Sequence, residues 1–168
     1  MTEAMVIDTN VLEHVFDPAM NVGGHIGELL RKFSEQKKKL CIDRPVGSRK
    51  SRMIQEYQHR LQSRLDAIDQ QDQLYEWLRY VIVLAERVDT PVNLADVLGH
   101  CLVPQLNRVR AERSDQVFVY VACVLDSVMI SNNSRHVSNL RPGLRRCARR
   151  AGSSNTDFLS SLQAEAAM

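Results

Sequence analysis

Aromatic residues make up only 5% of the chain, and glycine and proline together number 12. So few aromatics argue against a base-stacking platform, and so little Gly and Pro excludes a collagen-like or low-complexity chain. No apolar run is long enough to cross a bilayer, the longest being Val117 to Leu125. The start, Met1-Thr2-Glu3-Ala4, lacks the basic region and apolar stretch of a secretory leader. The expectation is a cytoplasmic protein with no membrane segment. Cys41, Cys101, Cys123 and Cys147 are scattered without a C-x-x-C pair, which argues against zinc or a disulfide scaffold and favours buried or idle thiols. The five histidines show no H-E-x-x-H spacing, no G-x-S-x-G is present, and covalent catalysis is not suggested.

What is present is the material of a folded domain. With 168 residues, 44% hydrophobic and 25% charged, the chain is long enough to close one core, and no linker or repeat divides residues 1–168. The net charge is only +2, yet it is unevenly spread. Residues 1–30 carry five acids and no Lys or Arg, residues 31–64 eleven Lys/Arg against three acids, and residues 135–150 six Arg against none. A polyanionic partner is compatible with that division despite the near-neutral total.

Hydrophobic spacing orders the elements. Met5-Val6-Ile7 reads as a strand ending at Asp8, followed by helical spacing over Asn10 to Phe16 and a turn at Gly23-Gly24. Ile26, Leu29, Leu30 and Phe33 recur as one face of a helix, and Leu40-Cys41-Ile42 reads as a second strand that stops at Asp43 and Pro45. Ile54, Tyr57, Leu61, Leu65 and Ile68 predict a long helix or two joined ones, with Val81 to Ala85 open between strand and helix end. Thr90 to Asn93 reads as a loop, and Asn93 as the cap of a helix over Leu94 to Leu106. Ser114 is expected to cap a buried helix over Asp115 to Leu125, before a strand at Val128 to Ile130. A short helix is expected over Ser134 to Leu140, broken by Pro142-Gly143. Strands alternating with helices predict an α/β domain, a three-layer α/β/α sandwich around a mainly parallel sheet.

In such a sheet ligands gather beyond the carboxyl ends of the strands. Asp8 ends the first strand, Asp115 opens a helix, Asn133 follows the strand at Val128 to Ile130, and Glu56 lies early in the helix after the second strand. Three acids and one amide meeting at one edge would repel one another unless a hard divalent cation, Mg²⁺ or Mn²⁺, took their oxygens as ligands. Such an ion activates water for attack on a phosphodiester. Each residue also has a plainer reading: Asp8 and Asn133 as turn residues, Glu56 as a solvated helix residue, Asp115 as a first-turn acid favoured by the helix dipole. Asp43 is expected in a surface turn before Pro45, and Asp126 late in its helix, away from that edge. Arg44, Arg49, Lys50 and Arg52 precede Glu56, while Arg135 and the arginines from Arg141 to Arg150 follow Asn133. They are candidates to track a phosphate backbone, or simply a solvated charged face.

The opening Val6-Ile7-Asp8-Thr9-Asn10-Val11-Leu12 closely resembles the first strand of PIN-domain nucleases. Ile54-Gln55-Glu56-Tyr57 is similar to the segment bearing that family's helical glutamate, and Ser114-Asp115-Gln116 through Ala122 to its third acidic helix. The 18-residue step from Asp115 to Asn133 matches the family's strand end, here Ser131-Asn132-Asn133, and Asp157-Phe158-Leu159 resembles its closing acidic segment. The resemblance spans nearly the whole chain and rests on order and spacing, since each piece alone is weak. It implies a PIN-like fold and a Mg²⁺- or Mn²⁺-dependent endoribonuclease acting on single-stranded RNA, with Asp8, Glu56 and Asp115 as metal ligands. It further implies that Asn10 and Ser131 position the substrate or the site, that Asn133 contributes to catalysis, and that Arg44, Arg49, Lys50, Arg52 and Arg135 meet the RNA backbone.

One departure is chemically specific. Where the family usually has a fourth acid, this chain has Asn133, which keeps an oxygen donor and removes a negative charge, so a second metal ion is held less well. The alternative is therefore a catalytically weak or inactive PIN-like module that binds RNA or a protein partner. The resemblance also brings a setting, the toxin of a toxin-antitoxin pair, together with an antitoxin or other protein partner and a homodimer.

Overall fold

The computed structural model describes residues 3–47, 50–62, 68–90, 113–133, 141–150, 152 and 154–168. Within them the order is β1 (Ala4–Ile7), α1 (Thr9–Glu13), α2 (His25–Glu35), β2 (Lys39–Pro45), α3 (Arg52–Gln62), α4 (Ile68–Val83) and β3 (Glu86–Thr90). There follow α5 (Arg113–Val124), β4 (Val128–Ile130), α6 (Arg141–Arg150), β5 (Asp157–Leu159) and α7 (Ser161–Ala167). The helices expected over Leu94 to Leu106 and Ser134 to Leu140 lie outside the described residues.

The five strands form one all-parallel sheet in the order β3-β2-β1-β4-β5. The chain builds leftward from β1 to β2 and β3, then returns to β4 on the other side of β1. The order therefore reverses between β1 and β4, the place in an open α/β sheet where ligands gather. Met5, Val6 and Ile7 in β1 are buried, as a central strand covered on both faces requires.

Helices cover both faces, giving the three-layer α/β/α sandwich. On one side α2 packs against α7 and α4, with the Trp77 ring meeting Phe33 edge-on at 5.6 Å between centroids and its indole N–H donating to Ser34 Oγ. On the other, α3 packs on α5, where Tyr57 meets Phe118 edge-on at 5.8 Å. Val117 to Cys123 of α5 are buried all round, which is why this run shows no amphipathic stripe and reads ambiguously between strand and helix. The helix begins at Arg113, ahead of the Ser114 expected as its cap. Gly23 and Gly24, at φ 67° and 74°, make the turn into α2, a left-handed geometry that glycine adopts without a Cβ penalty. None of the helices among the described residues is long and apolar enough to cross a membrane.

Four elements differ from the sequence expectation. Val81 to Val83 close α4, and β3 follows at Glu86, running through Thr90, the first residue of the expected loop. Helix α6 forms with Pro142-Gly143 in its first turn, where the N–H that proline lacks has no partner, while the helix that this pair was expected to end lies outside the described residues. Strand β5 and helix α7 also form, the latter closed by a capping box in which Gln163 N–H donates to Ser160 Oγ and the Gln163 side chain accepts from Ser160 N–H. Cys41 and Cys123 are buried free thiols, as expected, whereas Cys147 is disulfide-bonded, which corrects the expectation for that cysteine.

Asp43 corrects a further expectation, for it lies in β2 with no exposure and not in a surface turn. Its carboxylate accepts from the Ser51 hydroxyl, from Arg52 N–H at 2.9 Å and from Met53 N–H at 2.9 Å. These are the unpaired donors at the start of α3, so Asp43 supplies acceptors for a helix start from a neighbouring strand. Asp43→Ala leaves those donors buried without an acceptor and is expected to cost about 2–4 kcal/mol in urea denaturation. Asp43→Asn, which keeps an acceptor oxygen, should cost less. A loss below about 0.5 kcal/mol for the alanine variant would mean that α3 is anchored by other contacts.

Candidate functional site

Asp8 stands where β1 ends and α1 begins, in extended backbone at φ −71° and ψ 146°, and its N–H donates to Ile130 O at the end of β4. It is only 4% exposed. The position follows from the sheet: three apolar residues cross the core, and the next residue emerges where the strand order reverses between β1 and β4.

A frame of short polar side chains holds it. Ser131 Oγ donates to Asp8 Oδ2 at 2.7 Å, and Asn10 Nδ2 donates to the same oxygen at 2.8 Å and to Ser131 Oγ at 3.2 Å. Ser131 is itself fixed, since its N–H donates to Leu159 O of β5 and its Oγ accepts from Asn133 N–H at 3.1 Å. Asn10 Oδ1 accepts from Asn132 N–H at 2.9 Å, and Asn132 Oδ1 accepts from Ser161 N–H at the start of α7, also at 2.9 Å. The frame thus ties together the ends of β1, β4 and β5 and the starts of α1 and α7. Beneath it the Tyr57 hydroxyl donates to Ile7 O at 2.5 Å, fixing α3 to the last residue of β1.

The electrostatics are those of a carboxylate in a dry place beside another. Burial raises the Asp8 pKa from 3.8 to about 6; the Ser131 hydrogen bond and the backbone N–H groups of Asn10 and Thr9 pull it down, and the negative charge of Asp115 pushes it further up. Asp8 and Asp115, from β1 and α5, therefore share one field. Asn133 is half-buried directly after the frame. Glu56 is half-buried on α3, one helical turn beyond the start that Asp43 holds, and accepts from Arg60 Nε at 3.2 Å. Among the described residues no three His, Cys, Asp or Glu side chains are grouped closely enough to hold a metal ion.

The donor set still fits a hard cation. Carboxylate oxygens of Asp8, whose charge burial and Asp115 disfavour, and of Asp115 suit Mg²⁺, which is commonly held by one or two carboxylates while water and phosphate fill its other positions. Asn10 and Ser131 do not face a substrate freely; they spend their donors on Asp8, so the structure gives them the role of orienting that carboxylate.

Of the basic residues expected near the site, Arg44 is exposed and paired with Asp89 at 2.5 Å, Lys50 is exposed, and Arg52 is half-buried at the start of α3. Arg49 and Arg135 lie outside the described residues. Asp126 is set apart, as expected, although it follows α5 and is not part of it. At φ 47° it accepts from Asn155 N–H and Thr156 N–H before β4 and β5 begin, at the opposite edge of the sheet. Sequence reading missed Asn132 and Asp43 as supports of the site. The tendency of Asn to bond local backbone in non-helical segments was the available signal for the first.

Compared with the models of known protein families the sequence matches none, and no curated protein matches it.

The pH dependence of stability follows from Asp8. Its folded-state pKa lies above the ordinary 3.8, so between that value and about 6 the folded protein binds a proton that the unfolded chain has released. Stability from this group is present below pH 3.8 and lost as pH rises through 6, by at most about 3 kcal/mol. Lowered carboxylates such as Asp126 and Asp157 act in the opposite sense, so the comparison must be with a variant. In chelator, Asp8→Asn should be increasingly more stable than the parent from pH 4 to 7 in urea denaturation. A constant difference across that range would contradict the raised pKa.

Proposed function

We propose that the protein is a metal-dependent endoribonuclease of the PIN-like kind, hydrolysing phosphodiester bonds of single-stranded RNA in the cytoplasm. The observation that carries this reading is Asp8: a buried carboxylate, oriented by Asn10 and Ser131 and raised in pKa by burial and, to a lesser degree, by Asp115, at the point where the strand order reverses. A structural carboxylate in the core is normally matched by donors that keep it ionised, whereas this one is kept where its charge is disfavoured.

Asp8 and Asp115 would hold Mg²⁺ or Mn²⁺, with Glu56 as the third carboxylate from α3. The bound ion supplies an activated water and neutralises charge that builds on the phosphate. The chain's own residues do the rest. Ser131 and Asn10 both donate to Oδ2 of Asp8, so they fix the rotation of the carboxylate. Asn133 adds an amide oxygen to the site without adding charge. Arg44, Arg49, Lys50, Arg52 and Arg135 are assigned to the RNA backbone, and the exposed Arg44–Asp89 pair is weak enough to exchange its partner for phosphate. The toxin setting, with an antitoxin or a second copy of the chain as partner, rests on the resemblance alone.

Two features favour a second reading, a catalytically silent module that binds RNA or protein: Asn133 in place of an acid, and the engagement of Glu56 with Arg60. Incubating labelled single-stranded RNA with Mn²⁺, with EDTA and with variants decides between them. The nuclease reading expects cutting that EDTA and Asp8→Asn abolish and that Ser131→Ala weakens by about 10–100-fold, the range for losing a partner that orients a ligand. No cutting by the native chain, restored by Asn133→Asp, would establish the silent module, and none by either would remove the nuclease reading.

A further inference from the structure

Helix α6 has the sequence Arg-Pro-Gly-Leu-Arg-Arg-Cys-Ala-Arg-Arg, five arginines with no acid and no lysine. Leu144, Cys147 and Ala148 are buried, so its apolar face is spent on the core. Arg145, Arg146, Arg149 and Arg150 line, with Pro142, an open groove of about 450 Å³. Asp157 takes Arg141 in a two-pronged pair at 2.8 Å for each bond and Arg145 at 3.5 Å, offsetting one of the five charges. Arg146, Arg149 and Arg150 are exposed. Cations in a last turn complement the helix dipole, which accounts for Arg149 and Arg150 but not for the pair one turn earlier on the same groove.

We propose that this arginine-lined groove is a phosphate-backbone site for single-stranded RNA, built from residues that the Asp8 frame does not use. Arg145 with Arg149, and Arg146 with Arg150, repeat every four residues, an axial step of about 6 Å that is comparable to the separation of neighbouring phosphates along an extended strand. Guanidinium groups offer planar forks matched to phosphate oxygens, and every cation on this helix is an arginine. An anionic membrane is a poorer fit, because a helix lying on lipid needs the apolar face that α6 has buried. An acidic peptide is a poorer fit because the groove has no aromatic wall and only Pro142 as an apolar anchor. The choice of RNA rests on the endoribonuclease reading, while the site itself is a binding surface that needs no chemistry.

The test is fluorescence anisotropy of a labelled oligouridine with the full chain in EDTA, titrated over a range of salt. Arg146→Gln/Arg149→Gln/Arg150→Gln is expected to weaken binding about tenfold or more at low salt and to reduce the slope of log affinity against log salt by roughly 2, at about 0.7 per lost phosphate contact. Replacing the exposed Lys39, Arg79 and Arg87 by Gln changes net charge equally and should alter affinity less than about threefold. The corresponding triple Lys variant, which keeps the charge and removes the forks, should fall between. Equal weakening by both Gln triples, or no weakening by the first with its melting temperature intact, would overturn the proposal. So would tight binding to phosphatidylserine vesicles or polyglutamate without binding to the RNA. If the first Gln triple is unfolded, the Lys variant decides: affinity equal to the native chain counts against the site and a several-fold loss supports it. Absence of cleavage with this binding pattern intact would remove the nuclease reading and leave the site standing.

Discussion

Placing the Asp8 carboxylate inside the edge of a parallel sheet obliges its neighbours to supply donors, and much of the local architecture can be traced to that obligation. Ser131 turns its hydroxyl inward at the end of β4, Asn10 folds back from the first turn of α1, and Asn132 links both to the start of α7. None of these groups is far from a strand end, because only there can a side chain reach the carboxylate while its backbone remains paired. Net, the donors do not fully compensate for lost hydration, which is the sense of a pKa held near 6.

Asp43 shows the other solution to the same difficulty. The register of β1 on β2, carried on to the strand ends, sets Asp43 level with Asp8. It too is buried, but its oxygens are taken by the start of α3, so its charge is matched to a helix end. Two neighbouring acids on one edge thus have separate tasks. The one bound to backbone donors anchors the helix that carries Glu56 and Tyr57; the one bound to an amide and a hydroxyl is left electrostatically unsatisfied beside Asp115.

Much of the fold was legible in the sequence where periodicity was strong. Met5 to Ile7, Ile26 to Phe33 and Val128 to Ile130 fall in the elements their spacing predicts, and the three-layer parallel architecture follows from their alternation. The edge strands were not legible. Glu86-Arg87-Val88-Asp89-Thr90 buries only Val88 and Thr90, and β5 is three residues long, too short to show a period. Helix α7 did carry a signal in Ser160 and Gln163, the two ends of a capping box. At the site, Asp8 could be picked from its strand end, whereas Asn10 and Ser131 were implied by the resemblance to PIN-domain nucleases. Asp43 could not, because the residue types that make a turn before proline are also those that cap a helix, and only burial separates the two.

The residues of the Asp8 frame lie far apart along the chain. Asp8 and Ser131 are 123 positions apart, and the bond from Asn132 reaches on to Ser161. During synthesis the first strand therefore emerges long before its partners, the carboxylate waits for Ser131 to be made, and the frame is complete only with Ser161. A nascent or truncated chain ending before β4 holds Asp8, Asn10, Glu56 and Asp115 but neither Ser131 nor Asn132, so the frame around the carboxylate is incomplete. The environment of Asp8 is thereby assembled late, as a consequence of strand order alone.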